Sequence, residues 1–195
     1  GDGLIARVRP WGGAIGLAEA SALADAAERF GNGCLDLTRR ANLQIRGLGE
    51  ASLAGLQDVV MELGLVDRDA RSEAVRNIMV SPLAGIDPSE ALDVRPLARA
   101  LECELAADVA LHDLPSKFGF LVDGGGGVSI AGERADIALR AIGPSIALGL
   151  DTAAGTGWIG STSPEDAAQA ALAAARAFLA VGGGRRLHPR LLRRG

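Results

Sequence analysis

Tyrosine is absent from this 195-residue chain, lysine occurs once, at Lys117, and cysteine occurs twice, at Cys34 and Cys103. The two cysteines lie far apart and outside any CxxC pattern, so they predict neither a disulfide framework nor a zinc site. No apolar run approaches the roughly 20 residues that span a bilayer, and the first residues lack the apolar stretch of a secretory signal. We therefore expect a cytoplasmic protein with no membrane partner.

Positive charge is also in short supply. The 20 lysines and arginines are outnumbered by 24 acidic residues, which gives a net charge of −4 and a pI near 5.2. A general nucleic-acid binder would carry a strongly basic surface, so we expect no nucleic-acid partner. Hydrophobic residues form 48% of the chain, which is enough for one large or two small domains with packed cores.

Strand and helix signals alternate over the first 65 or so residues. Residues 4–9 are rich in branched side chains and end at a proline, which predicts a strand. Apolar residues at three- and four-residue spacing predict helices over 17–30 and 53–63. A left-handed stop at Gly31 and Asn32 ends the first helix, and Gly64 ends the second. Residues 34–48 alternate strictly and predict one strand.

A polar stretch at residues 66–72 predicts a boundary between two domains. We assign residues 1–70 to the first domain, 71–181 to the second, and 182–195 to a basic tail or linker. The composition of the tail indicates a solvated, partly disordered end or linker, and a ligand role for His188 is the lesser alternative.

In the second domain, Asp87 and Pro88 form a helix-start signal, and the helix restarts at Pro96 and continues to about Ala107. Runs at 117–122 and 128–130 flank a short glycine-bearing loop, which predicts a hairpin. The glycines match no phosphate-loop pattern, so a turn is favoured over a phosphate site. Later runs predict strands over 135–141, 146–150 and 157–160 and a helix from Ser163 to about Ala180. The interleaved helices and strands alone fit an α/β or an α+β fold, and we predict α+β.

The predicted strand at 34–48 has an unusual polar face. Successive side chains of a strand face opposite sides, so six polar residues share one face: Asp36, Thr38, Arg40, Asn42, Gln44 and Arg46. Alternation alone fits an ordinary half-buried strand whose polar face meets water. This face, however, offers guanidinium, amide and hydroxyl donors and lacks lysine and glutamate. Arginine pairs bidentately with carboxylates, so the face suits a ligand edged with carboxylate groups.

Three segments resemble the nitrite and sulfite reductase superfamily in their order and spacing. Residues 38–46 (TRRANLQIR) resemble the T-x-R-x-x-x-Q-x-R signature of its ferredoxin-like half domains. Residues 75–78 (VRNI) resemble an R-N-V strand of the family, and residues 114–119 (LPSKFG) resemble its L-P-R-K-F-K segment. The reductases usually have glutamine at the position of Ala41. Alanine at this position is typical of precorrin-3B synthases. Gly119 replaces a second lysine, and this weakens the case for a sulfite reductase.

The resemblance implies a ferredoxin-like α/β half domain followed by a nitrite/sulfite reductase-type α/β domain. It matches Arg40, Arg76 and Lys117 to the family's anion- and tetrapyrrole-contacting positions. Together with the polar face, it implies a tetrapyrrole-binding site formed by these residues: Arg40, Asn42, Gln44, Arg46, Arg76 and Lys117. No catalytic residue and no metal ligand is identified. Without the resemblance, Arg76 fits a surface ion pair equally well, and Lys117 fits an exposed position beside the predicted hairpin.

The resemblance further implies the amino-terminal half of an oxidoreductase similar to precorrin-3B synthase, a monooxygenase that oxidises precorrin-3A in cobalamin biosynthesis. The expected partners are a carboxylated tetrapyrrole, a missing carboxy-terminal half or partner chain, and a second copy through self-association. Family members hold a [4Fe–4S] cluster through four cysteines, with sirohaem or non-haem iron in the complete protein, so we expect no cofactor in this chain alone. A fragment of a sirohaem-dependent sulfite or nitrite reductase and a non-catalytic tetrapyrrole- or partner-binding module are the alternatives.

Overall fold

The computed structural model describes residues 3–67 and 69–182. The chain divides into two compact units, Gly1–Arg68 and Asp69–Gly195, each with its own hydrophobic core. Apart from Gly182, the predicted basic tail with His188 lies outside the described residues. No helix in the described part of the chain is long and apolar enough to cross a membrane.

The first unit contains β1 (Leu4–Val8), α1 (Leu17–Phe30), β2 (Leu35–Leu37), β3 (Leu43–Leu48) and α2 (Glu50–Glu62). Its strands form an antiparallel sheet in the order β1-β3-β2. One face of this sheet shares a core with both helices, and Leu23, Ile45 and Leu56 are at most 1% exposed there. The predictions of β1, α1 and α2 are confirmed, because an apolar face at the period of each element drives its burial.

The prediction of a single strand over residues 34–48 is wrong, because β2 and β3 are the two arms of a hairpin. Thr38 N donates to Asn42 O at 2.9 Å, and Asn42 N donates to Thr38 Oγ1 at 3.1 Å. Ala41 adopts a positive φ of 54° inside the turn. Asp36 pairs with Gln44 across the hairpin, and cross-strand partners face the same side. The polar alternation therefore passes through the turn unchanged.

The end of α1 also differs from the prediction. Gly31 has a φ of −118°, whereas Gly33 has the left-handed φ of 81°. Both N–H groups donate to Ala27 O at 3.0 Å. Gly31 is needed for close packing instead, because a Cβ there would lie 2.5 Å from Arg46 O.

The second unit contains α3 (Ala70–Val75), β4 (Ile78–Val80), α4 (Arg95–Ala107), β5 (Phe120–Asp123), β6 (Ile137–Ile142), β7 (Ser145–Thr152), β8 (Gly155–Thr162) and α5 (Ala167–Ala180). The sheet order is β4-β5-β6-β7-β8, parallel from β4 to β6 and antiparallel from β6 to β8. Helices α4 and α5 share a core with Phe120 and Leu139 of the sheet. The predictions of β6, β7, β8 and α5 are confirmed, and the two units together confirm the α+β class.

Two predictions in this unit are wrong. The helix predicted from Asp87 begins at Arg95, because the Asp87 carboxylate accepts from Ser89 N at 2.8 Å and from Gly127 N at 2.7 Å in a loop. The predicted hairpin around the glycine tract is replaced by a parallel crossover, since β5 pairs with β4 and β6, and residues 128–130 form no strand. Gly124 N donates to Ser81 Oγ at 2.9 Å. The tract is therefore tied to the loop after β4.

Candidate functional site

A row of polar side chains crosses the sheet of the first unit on the face opposite its core. Arg7 of β1 pairs with Gln44 of β3, and Gln44 pairs with Asp36 of β2. Arg46 follows Gln44 by two positions and returns to the same face. We call Arg7, Asp36, Gln44 and Arg46 the donor face.

Three donor-face residues are bonded to one another. Arg46 Nε donates to Asp36 Oδ2 in an ion pair, and Arg46 Nη2 donates to Gln44 Oε1 at 3.2 Å. The Arg46 and Asp36 side chains are 37% and 45% exposed, while Gln44 is buried at 9%. Asp36 thus partly neutralises Arg46, and Arg46 Nη1 has no bond among the described residues.

Arg40 and Asn42 belong to the β2–β3 turn rather than to a strand. Arg40 is exposed at the turn and makes no hydrogen bond or ion pair with any residue that the structure describes. The backbone of Asn42 closes the turn onto Thr38. The structure therefore places Gln44 and Arg46 on one face and Arg40 at the end of the same hairpin.

Arg7 is a candidate that the sequence analysis missed. It is exposed, lies directly across from Gln44, and has no bonded partner within residues 3–67 and 69–182. The signal that would have found it is the alternation of β1, where Arg7 lies between the inward-facing Ala6 and Val8. Its position beside Gln44 depends on strand register, which the sequence does not display.

Arg76 is buried rather than exposed at the surface. Its side chain is 2% exposed, with Nη2 at 3.0 Å from Glu73 Oε2 and Nη1 at 3.7 Å from Glu102 Oε1. The alternative of a surface ion pair is wrong, because Arg76 is the C-cap residue of α3 and its ion pairs are buried. Two carboxylates therefore hold this guanidinium inside the second unit.

Lys117 lies close in topology to Arg76. Strands β4 and β5 are parallel and in register from Ile78 and Phe120 onward, so the residues before them meet at the same end of the sheet. Lys117 is exposed and has no bonded partner in the described part of the chain. The structure thus brings Arg76 and Lys117 to one end of the second sheet, Arg76 buried and Lys117 free.

Gly119 lies where the sequence resemblance implies the second lysine of the reductase segment. A Cβ at Gly119 would meet only Asn77 O at 3.6 Å and Lys117 O at 3.9 Å, which are ordinary contacts. Its φ is outside the left-handed region. Neither backbone conformation nor packing therefore requires glycine at this position.

The cysteines of this chain do not fit an iron–sulfur cluster. Such a cluster takes four thiolates, whereas this chain contains Cys34 and Cys103, which are both exposed and lie in different units. Among the described residues, no group of three or more cysteine, histidine or acidic side chains is arranged to hold a metal ion. Exposed cations such as Arg7 and Arg40 in the first unit are suited to pairing with an anionic group.

Family comparisons cover both units. The family described as nitrite/sulfite reductase ferredoxin-like half domain matches residues 1–63, and the nitrite and sulphite reductase 4Fe-4S domain matches residues 72–191. The chain belongs to the nitrite and sulfite reductase family. Its second unit belongs to a domain named for a cluster, yet the only cysteine in that match is Cys103.

Individual relatives agree with this assignment. The chain is 38% identical over 89% of its length to a precorrin-3B synthase of Sinorhizobium sp, of which it covers 36%. It is 34% identical over 69% of its length to a ferredoxin–nitrite reductase of Synechococcus elongatus, of which it covers 27%. The Mycobacterium tuberculosis NirA structure matches 89% of the chain with a TM-score of 0.71 at 19% identity, and the chain covers 33% of it. The chain therefore spans about a third of the length of these relatives.

Proposed function

We propose that this chain binds and positions a carboxylated tetrapyrrole within an oxidoreductase of the precorrin-3B synthase type, the enzyme that oxidises precorrin-3A in cobalamin biosynthesis. The observation that carries the proposal is the donor face with the adjoining turn, where Arg7 and Arg40 are exposed without bonded partners in the described chain. The precorrin-3B synthase relative supports this choice, because it matches more of the chain at higher identity than the nitrite reductases do.

The chemistry of binding follows from the donors. Guanidinium groups bind carboxylates through paired, charge-assisted hydrogen bonds, and Arg7 on β1 and Arg40 in the β2–β3 turn supply such groups. Arg46 keeps Nη1 available for a ligand, although the adjacent Asp36 carboxylate partly offsets the positive charge of its guanidinium group. Within the second unit, Lys117 offers a compact ammonium donor of its own.

The two cysteines of this chain are too few to ligate a [4Fe–4S] cluster, which takes four thiolates. We therefore assign the cluster to cysteines outside these 195 residues, contributed by further chain or by a partner. The residues present here bind, orient and neutralise the substrate.

Replacing Arg40 by alanine tests the proposal. Calorimetric titration with uroporphyrin, a porphyrin with carboxylates around its whole rim, should show binding weakened by about 1.5 to 3 kcal/mol, the scale of a hydrogen bond to a charged group. Stability should barely change, because an exposed arginine contributes little to folding. Arg99→Ala, which removes an exposed arginine from α4, is the matched control. Equal affinity of the Arg40→Ala and parent proteins would refute the assignment.

A sirohaem-dependent nitrite or sulfite reductase is the second candidate, favoured by the nitrite reductase relatives. A small inorganic anion needs a dense group of positive charges, and this chain has glycine at position 119 in place of one cation. Titration of the parent protein with nitrite and with sulfite separates the candidates. Binding of either anion as tightly as uroporphyrin would favour the reductase.

A further inference from the structure

The backbone on both sides of Lys117 is held by one side chain. Asn77 Nδ2 donates to Ser116 O at 2.9 Å and to Phe118 O at 3.2 Å, and these two carbonyls flank Lys117. The same nitrogen lies 3.1 Å from Ala74 O at the end of α3. A single primary amide thus joins α3 to a segment about 40 residues further along the chain.

The main chain of Asn77 strengthens this connection. Phe120, the first residue of β5, donates its N–H to Asn77 O at 2.8 Å, and Asn77 directly precedes β4. On the other side, Gly119 N donates to Asp136 Oδ2 at 2.9 Å. The backbone from Ser116 to Phe120 is therefore fixed from two directions, while the Lys117 side chain projects into solvent without a bonded partner in the described chain.

We propose that Asn77 is a positioning residue, which fixes the backbone at Lys117 so that its ammonium group is presented to an anionic group of the ligand. This inference rests on the proposed function, since it takes Lys117 as a ligand contact. An uncharged amide suits the task because it offers two N–H donors to carbonyl oxygens. A carboxylate in the same place would face those oxygens with negative charge.

A purely structural role for Asn77 makes a different prediction. Losing the amide would then lower stability without any specific effect at Lys117 or on ligand binding. The distinction is measurable because Lys117 is the only lysine in the chain. Protein labelled with 15N-lysine gives one backbone amide signal, and relaxation of this signal reports the order of the Lys117 backbone directly.

The experiment compares Asn77→Ser and Asn77→Ala with the parent chain. Asn77→Ala removes both donors without placing a charge or a polar group against the carbonyl oxygens, so it serves if Asn77→Ser fails to fold. Ser81→Ala is the matched control, because the Ser81 hydroxyl donates to Asp123 Oδ1 and accepts from Gly124 N, both at 2.9 Å, beyond the opposite end of β4. The control should lose similar stability without touching the Lys117 segment.

In the ligand-free proteins, the order parameter of the Lys117 amide should fall from about 0.85 in the parent to below about 0.6 in the Asn77 variants. It should stay at the parent value in Ser81→Ala. An unchanged order parameter in both Asn77 variants would overturn the positioning role, whatever their stability.

Binding of uroporphyrin supplies the second readout. Asn77→Ser should weaken affinity about three- to tenfold, the scale of a displaced hydrogen-bonding group. In a Lys117→Met background the same substitution should have no further effect, because residues that act through one another are not additive. Full additivity would overturn the inference while leaving the proposed function intact. If Lys117→Met and Arg40→Ala both bind as the parent does, the proposed function fails and the ligand role of Asn77 fails with it.

Discussion

The buried ion pair between Arg76 and Glu102 gives the sharpest prediction about stability. The two side chains are 2% and 3% exposed, and their charged atoms lie 3.7 Å apart. Removing one member of a buried pair costs about 3 to 5 kcal/mol, because the other charge stays in a poorly solvated place. We expect Arg76→Met near the upper end of this range, since it takes the arginine from both Glu73 and Glu102.

Glu102→Met should cost less, because Arg76 keeps Glu73 at 3.0 Å. The double variant Arg76→Met with Glu102→Met should lie within about 2 kcal/mol of the parent, because well-packed apolar side chains often replace a buried pair at little cost. Glu73 is 29% exposed and so can be solvated in that variant. The coupling between the two substitutions should therefore be at least about 2 kcal/mol.

Urea denaturation followed by tryptophan fluorescence measures these values. Trp158 lies in the second unit and Trp11 in the first, so a Trp11→Phe background makes the signal report on the second unit. The slope of the free energy of unfolding against urea should not change between variants. Additive costs in the double variant would refute the reasoning. Uroporphyrin binding by the double variant then tells whether Arg76 also contacts the ligand, since a purely internal Arg76 predicts the parent affinity.

Three further predictions concern single positions and metal content. Gly119→Lys should strengthen the binding of nitrite or sulfite in a titration, because it adds a cation two residues from Lys117. Gly132→Lys is the control and should not change this binding, since a Cβ at position 132 would meet nothing within 4 Å. Gly149→Ala should lower the free energy of unfolding by about 1 to 3 kcal/mol and shift the fluorescence emission of Trp158 to the red. The reason is that a Cβ at position 149 would lie 2.5 Å from Thr156 Cγ2 and 3.0 Å from the Trp158 ring. Gly160→Ala is the control, because a Cβ at position 160 would meet nothing within 4 Å. The purified chain should be colourless, and iron and sulfide in stoichiometric amounts would contradict this.

Elements with a strong apolar period could be predicted from the sequence, and elements decided by distant contacts could not. Helix α5 and strands β6 and β7 bury residues at the spacing of their own geometry, so the local pattern was sufficient. Asp87 has the side chain of a helix cap, but Gly127 N, 40 residues away, uses its carboxylate. A capping signal predicts a helix only when no tertiary partner competes for it.

The β2–β3 hairpin was hidden for a different reason. Residues 36 and 44 pair, as do the backbones of Thr38 and Asn42, so even-numbered residues of both arms face the same side. The turn contains no glycine or proline, and its left-handed residue is Ala41. The sequence therefore predicted the composition of the polar face for Asp36, Gln44 and Arg46 while giving the wrong backbone. The burial of Arg76 depends on Glu102, which a local pattern cannot bring to it.

The basic residues of the candidate site differ in what they have left to offer a ligand. Arg46 is paired with Asp36, and Arg76 is held by two carboxylates. Arg7, Arg40 and Lys117 remain exposed without bonded partners in the described chain, on a strand, in a hairpin turn and in a loop. A small anion needs several cations converging on one point. The ion pairs of Arg46 and Arg76 and the glycine at position 119 reduce the number of cations available for such a cluster. The proposed macrocycle carries carboxylates around its rim and needs only separate exposed cations, such as Arg7 and Arg40 within the first unit. The pairing of Arg46 and Arg76 therefore counts against an inorganic anion and not against the proposed ligand.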